Sequence, residues 1–219
     1  MERIALVDVD GTLVDTNYQH TLAWYRAFRR TGLTLPLWRI HRHIGMGGDQ
    51  LVPALTDEDV DARHGHALRT AWAEEFEPML PEVSAVKGAH ELLADLRADC
   101  VRVVLASSGK PEHVDAFLDL VDGRSVAHAW TTSEDVESTK PAPDLLQVAL
   151  GKATDRPDGA DVVVVGDSTW DFVAAGRFGA RGVALLTGGF SREELAEAGA
   201  VEVADSLPEV GRLLHDGWR

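Results

Sequence analysis

Six short runs of almost uniformly apolar residues recur along the chain, at 4–9, 101–106, 127–131, 162–165, 182–186 and, more weakly, 201–204. Strands of that kind are expected where a parallel sheet is covered on both faces. Helical periodicity fills the intervals, at 87–98, 111–120, 143–150, 170–178, 192–198 and 207–215. Pro111 and Pro143 suit first-turn helix positions, and Ser191 followed by Glu194 has the spacing of a capping box. Strand and helix alternating through short connections predict a doubly wound, Rossmann-like α/β fold around a parallel sheet.

One interval breaks this rhythm. No convincing strand pattern occurs from about 15 to about 84. Residues 17–30 read as an amphipathic helix carrying Leu22, Trp24, Tyr25 and Phe28, and 57–76 as a second long helix capped by Thr56. Between them lies HRHIGMGGDQLV, in which Gly45-Met46-Gly47-Gly48-Asp49 could let backbone approach a ligand or could be a plain helix-to-helix turn. The expectation is a catalytic core of residues 1–14 and 85–219 and an inserted helical cap at 15–84, with EPMLPEVSAVKG as the return linker.

Composition narrows the function classes. The chain has 219 residues, 45% of them hydrophobic, and no apolar run approaches a membrane span. Acids interrupt the first apolar run, which therefore reads as a strand and not as a secretory signal. A net charge of −15 disfavours nucleic acid and anionic membranes as partners. The charge is uneven: residues 16–84 hold nine acids and seven arginines, five of the nine histidines and no lysine. This less acidic segment is the one that could help hold an anion. The single cysteine, Cys100, excludes an intrachain disulfide framework, reads as a small buried hydrophobe and fits a cytoplasmic location.

Ligands of open α/β sheets bind beyond the carboxyl ends of the strands. After the first strand stand Asp8, Asp10, Gly11 and Thr12; if the strand continued, the two acids would face one way and repel unless a cation lay beside them. After the second comes Ser107-Ser108-Gly109-Lys110-Pro111, hydroxyls and free N–H groups at a helix start, suited to an anion or to an ordinary cap. Lys140 precedes Pro141 and is kept extended, off the coming helix. VVVVGDSTWD delivers Asp167 to the sheet edge, with Asp171 one helical turn on. Carboxylate oxygens are the donors Mg²⁺ prefers, and a lysine with backbone amides beside such an ion makes a phosphate site.

These residues resemble the haloacid dehalogenase superfamily, most of all its phosphoglycolate-phosphatase and β-phosphoglucomutase-like branch with a helical cap. Asp8-Val9-Asp10-Gly11-Thr12 matches the DxDGT motif, Ser107 the hydroxyl motif, Lys140 the lysine motif and Gly166–Asp171 the GDxxxD motif; LASSGK, TKPAPD and IGMGGDQL are similar to stretches of that branch. The resemblance implies a Mg²⁺-dependent phosphatase of small phosphate monoesters. Asp8 would be nucleophile and metal ligand, and Asp10 the acid/base and a ligand through its carbonyl. Asp167 and Asp171 would hold metal, and Ser107 and Lys140 the phosphoryl group. Gly11, Thr12, Ser108, Gly109, His20, Arg42, Gly47 and Gly48 are candidate substrate contacts, with His41 and His43 beside Arg42. A monomer or homodimer is expected.

Two other classes compete. A hexose-phosphate mutase of the β-phosphoglucomutase kind is suggested by Asp15-Thr16 and His20, against the absence of a cap lysine. A receiver-type phospho-aspartate signalling domain would also place acids, a hydroxyl and a lysine at strand ends. The order here disfavours it, since the acidic pair Asp167/Asp171 follows the lysine.

Overall fold

A computed structural model describes residues 1–155 and 157–218. The chain opens with β1 (Glu2–Val7) and β2 (Val14–Asp15), then α1 (Asn17–Arg30), α2 (Leu37–His41), α3 (Gly48–Leu55) and α4 (Glu58–Phe76). After a 3₁₀ segment at Glu77–Glu82, β3 (Ser84–Ala85) leads into α5 (Ala89–Ala98), β4 (Arg102–Ala106), α6 (Pro111–Leu120), α7 (Gly123–Val126) and β5 (Ala129–Thr131). The last third holds α8 (Asp144–Ala153), β6 (Ala160–Gly166), α9 (Thr169–Phe178), β7 (Arg181–Leu185), α10 (Arg192–Glu197), β8 (Ala200–Ala204) and α11 (Leu207–Gly217). The main sheet is parallel, in the order β5-β4-β1-β6-β7-β8.

β1 lies at the centre, between β4 and β6, so the first and fourth long apolar runs end side by side. Its alternate residues feed two cores. Ala5 and Val7 face α5, α6 and α11, while Ile4 and Leu6 face α8 and α9. Past its half-buried start at Glu2 and Arg3, β1 is buried on both faces and wholly apolar, and the next acid, Asp8, stands just beyond Val7. The helices between 17 and 76 have a core of their own, built on Trp24, Phe28, Ile40, Leu51, Leu55 and Leu68.

Several local expectations are corrected. β1 stops at Val7 instead of running to 9. The Val9 carbonyl accepts from the N–H groups of Thr12, Leu13 and Val14, so the chain curls into a turn and the same-face argument for Asp8 and Asp10 does not apply. The insertion is bracketed by a two-residue antiparallel ladder, Val14↔Ala85 and Asp15↔Ser84, too short to show a period. HRHIGMGGDQLV carries the end of α2 and the start of α3, so of Gly45–Asp49 only the first three residues lie between helices. Asp57, not Thr56, caps α4, accepting from Val60 N at 2.8 Å, while the Thr56 hydroxyl donates back to Val52 O. Pro143 sits at the N-cap of α8 and not in its first turn. Cys100 is exposed, because it turns the chain from α5 to β4 with φ 58°.

Candidate active site

The site is assembled at the carboxyl edge of β1, β4 and β6. Lys140, 3% exposed, is its pivot. Its ammonium donates to Asp8 Oδ1 and, at 2.7 Å, to Asp171 Oδ1. The other Asp171 oxygen accepts from Ser168 N (3.0 Å) and Ser168 Oγ (2.6 Å), a capping box at the start of α9. The second helical acid is thus turned to the lysine and to its own helix start.

Asp167 is held from the opposite side. Thr12 Oγ1 donates to Asp167 Oδ1 at 2.7 Å, and Asn17 Nδ2 to Asp167 Oδ2 at 2.7 Å. Thr12 also approaches Asp8 Oδ2 at 3.3 Å. Gly11 makes this approach possible: a Cβ there would stand 2.4 Å from Asp167 Oδ2, and its φ of +83° is one that only glycine adopts freely. Gly11 and Thr12, candidate substrate contacts by sequence, therefore brace the carboxylates and lie outside the lining of the cavity.

Asp10 belongs to a separate network. Its Oδ2 accepts from Ser107 Oγ at 3.1 Å, while Oδ1 meets His20 Nε2 at 3.0 Å and Thr16 Oγ1 at 3.3 Å. Ser107 in turn accepts from Gly109 N at 3.0 Å. The two acids of the opening motif thus have different direct partners, Asp8 a lysine and Asp10 a histidine and two hydroxyls.

Their proton affinities diverge accordingly. Burial pushes the Asp8 carboxyl well above the usual carboxylate range; Lys140 opposes this, and Asp171, Asp167 and Asp10 reinforce it. Asp167 is pushed up to about 7, by burial first and then by the Asp171 charge, against the pull of Thr12 and Asn17. Burial also acts to raise Asp10, but the hydrogen bond and charge of His20, with Ser107 and Lys140, outweigh it and hold Asp10 below the ordinary range. Lys140 is held above its ordinary range: burial works against the ammonium, and the charges and hydrogen bonds of Asp171 and Asp8 overcome it. Asp8, Asp167 and Asp171 each offer an oxygen within 4.8 Å of the others, against one buried lysine. That donor set, all carboxylate and short of positive charge, suits a hard divalent cation.

Above these groups a cavity of about 300 Å³ opens between the strand ends and α1, α3 and α4. Of the candidate substrate contacts, His20, Ser108, Gly109, Gly47 and Gly48 line it. Arg42 does not. It pairs with Glu194, while His41 meets Gly188 O at 2.9 Å and the Trp170 indole donates to Arg42 O at 3.0 Å. His43 turns to Arg39 O at 2.8 Å. That cluster closes the far side of the helical insertion on the loops after β6 and β7.

Sequence reasoning missed several residues. Asn17 grips Asp167. Asp49 accepts from Thr139 N at 3.1 Å and from the Thr139 hydroxyl, which also accepts from Gly47 N at 3.0 Å; α3 is thereby fastened beside Lys140. Arg69, Trp24, Trp72 and His113 complete the wall. IGMGGDQL and TKPAPD hold both halves of the α3 contact, but nothing in either stretch says that they meet.

The profile of the haloacid dehalogenase-like hydrolases matches residues 5–185. A validoxylamine A 7'-phosphate phosphatase of Streptomyces hygroscopicus subsp. limoneus is 29% identical over 202 residues, covering 90% of this chain and 92% of the relative. A phosphoglycolate phosphatase of Caulobacter vibrioides is 27% identical, covering 93% and 86%. The crystal structure of a hydrolase from Pseudomonas syringae superposes with a TM-score of 0.88 at 32% identity, covering 98% of this chain and 99% of that one. The chain belongs to the haloacid dehalogenase-like hydrolase family, within its phosphoglycolate-phosphatase and β-phosphoglucomutase-like branch, and is an enzyme of phosphatase type.

Proposed function

We propose that this haloacid dehalogenase-like hydrolase cleaves a small-molecule phosphate monoester with Mg²⁺, through a phosphoryl group carried transiently on Asp8. The observation that carries the reading is Lys140, buried between Asp8 and Asp171 beside a cluster of acids that it cannot neutralise alone. Asp8, Asp167 and the backbone carbonyl of Asp10 would hold the ion, and Asp171 would act through Lys140 and Ser168. The ion supplies charge to polarise the phosphoryl oxygens and to keep Asp8 ionised despite its burial.

The Asp8 carboxylate attacks phosphorus, the ester P–O bond breaks, and Asp10 protonates the departing alkoxide. Asp10 then takes a proton from water as that water's oxygen attacks the phosphorus. The P–O bond to Asp8 breaks and phosphate leaves. Asp10 is ionised in the free protein, because His20 and Ser107 favour its charged form. The incoming phosphate dianion supplies the opposing influence, raising its proton affinity for the first step. Ser107, Lys140 and the N–H groups after β4 surround the phosphoryl oxygens, and most of the acceleration comes from this positioning and charge.

A mutase reading is weaker here. The cap cation facing the cavity is Arg69, whose guanidinium is paired with Asp61 at 2.7 Å and bonded to Gly48 O. The relatives divide between phosphoglycolate and other phosphate esters, so similarity does not choose the alcohol. Among the described residues no helix is long and apolar enough to cross a membrane. The acidic charge favours a small phosphate ester over nucleic acid or an anionic membrane surface as partner.

Phosphate release from p-nitrophenyl phosphate with Mg²⁺ tests the reading. Asp8→Asn is expected to lower kcat by about 10⁴-fold or more with the fold intact. Turnover within tenfold of the parent would refute Asp8 as nucleophile. Asp10→Asn is expected to cost about 10²- to 10⁴-fold while Mg²⁺ still raises Tm, because the proposed ligand is the carbonyl and not the side chain.

A further inference from the structure

The two ends of the cavity differ in what they leave unsatisfied. At the phosphoryl end every carboxylate has a partner. At the other end, aromatic rings run from the catalytic acid outwards: His20 stacks on Phe76 at 4.1 Å, Phe76 lies 5.1 Å from His113, and Trp72 lies 5.5 Å from Trp24. Three ring systems in this cluster carry nitrogens with no hydrogen-bond partner among the described residues. His20 Nδ1 and Trp72 Nε1 are buried, and His113, 4% exposed, borders the cavity with neither nitrogen bonded. Buried polar groups of that kind mark the place of a missing water or ligand. Burial, with the neighbouring His20 charge, lowers the His113 proton affinity, so its ring is neutral and offers one donor and one acceptor.

Charge narrows the ligand further. Asp8, Asp10, Asp49 and Glu137 border the cavity against Arg69, Lys110 and Lys140. Arg69 and Lys140 are already paired. A divalent ion is matched by the phosphate dianion it receives. Lys110 has no ion-pair partner among the described residues, but the four acids still outnumber the three cations, so a second anion would meet net negative charge. The volume, about 300 Å³, is at the lower end of ligand pockets and still exceeds what a phosphate and two carbons fill.

We propose that the cavity selects the monophosphate of an uncharged, hydroxyl-bearing ring, that His113 hydrogen-bonds a hydroxyl of that ring while Trp24 and Trp72 cover its apolar face, and that alcohols carrying a second anionic group are disfavoured. This rests on the phosphatase reading above. A site built around an unpaired polar group rejects ligands that leave it unpaired.

Steady-state phosphate release with Mg²⁺ is compared for glucose 6-phosphate, glucose 1,6-bisphosphate, phosphoglycolate and p-nitrophenyl phosphate, in the parent protein, His113→Phe and His113→Gln. Glucose 6-phosphate is expected to exceed the bisphosphate and phosphoglycolate in kcat/KM by about tenfold or more. His113→Phe should raise its KM by about 10- to 100-fold, more than it raises that of p-nitrophenyl phosphate, which has no hydroxyl, and His113→Gln should recover part of the loss. A preference for phosphoglycolate or the bisphosphate would overturn the proposal, as would equal losses for glucose 6-phosphate and p-nitrophenyl phosphate. If His113→Phe does not fold, the parent panel and His113→Gln decide. Failure to release phosphate from any of the four, p-nitrophenyl phosphate included, would instead overturn the phosphatase reading itself.

Discussion

The two walls of the cavity are built on opposite principles. The wall at the strand ends is dense in charge, and its side chains are committed: Lys140 to two carboxylates, Asp167 to Thr12 and Asn17, Asp10 to Ser107 and His20. The wall from the helical insertion is aromatic, and its charged groups are paired with one another or spent on holding α3 to Thr139. A preorganised charged wall does the same chemistry on any phosphate ester. An apolar wall with a few open hydrogen-bonding positions chooses the alcohol. On the proposed function, chemistry falls mainly to the strand ends and choice mainly to the helical wall, with α1 serving both through Asn17 and His20 on one side and Trp24 on the other, and the two should respond to different substitutions.

Removing the counter-charge of the first wall should have the largest effect. Lys140→Ala leaves Asp8 and Asp171 buried with no cation, a change that costs about 3–5 kcal/mol where a buried pair loses one partner. A fall in Tm, and loss of p-nitrophenyl phosphate turnover by about 10³-fold, are expected; Mg²⁺ should restore part of the Tm and little of the turnover. An unchanged Tm would mean that the acids are not held together by charge.

Next comes the dependence of the same wall on pH. The Asp167 proton affinity is raised to about 7, so between the ordinary aspartate range and about 7 the folded protein binds a proton that the unfolded chain does not. Without metal, this group therefore makes the fold less stable as pH rises through that window. Metal competes with the proton, so the Tm gain from Mg²⁺ should grow from pH 5 to about 8. Scanning calorimetry with and without Mg²⁺ measures both slopes, and a Tm gain independent of pH would contradict the assignment.

The smallest effect is expected where the walls join. Asp49→Asn weakens the bonds to Thr139 without touching the acids. KM should rise about 3- to 10-fold with a smaller change in kcat, as for a lost charge-assisted hydrogen bond. A kcat loss as large as that of Lys140→Ala would show that α3 sets the position of the lysine itself.

The same division governs what can be read from residues alone. The alternation of apolar runs and helical periods is local, and it yields the doubly wound parallel sheet because each strand announces its own burial. Asp8, Asp10, Ser107, Lys140, Asp167 and Asp171 stand at strand ends or helix starts, so one topological rule gathers them. Asn17, Asp49 and Arg69 belong to helices of the insertion, which follow no strand of the main sheet, so that rule does not gather them. They reach the site only because of how α1, α3 and α4 sit over the strand ends, a property spread over the whole of their shared core. His113, in the first turn of α6 just after β4, lay within reach of the same rule. Arg42, His41 and His43 show the converse: a basic cluster attractive for an anion in the linear chain is spent on Glu194 and on backbone carbonyls. The end of β1 at Val7 was hidden for a smaller reason, since Val9 is as apolar as its predecessors and only its carbonyl, turned inward to three N–H groups, shows that the strand is over.

The ladder of Val14 with Ala85 and Asp15 with Ser84 has a consequence of another kind. Paired strands stand about 5 Å apart, so the sheet sees the entire insertion as no wider than a hairpin. A loop whose ends meet adds little closure entropy as it lengthens. One set of helices can therefore be exchanged for another at this doorway without rebuilding the strands that hold the acids, and a lineage could inherit its reaction intact while acquiring new substrates by replacing what lies beyond two pairs of residues.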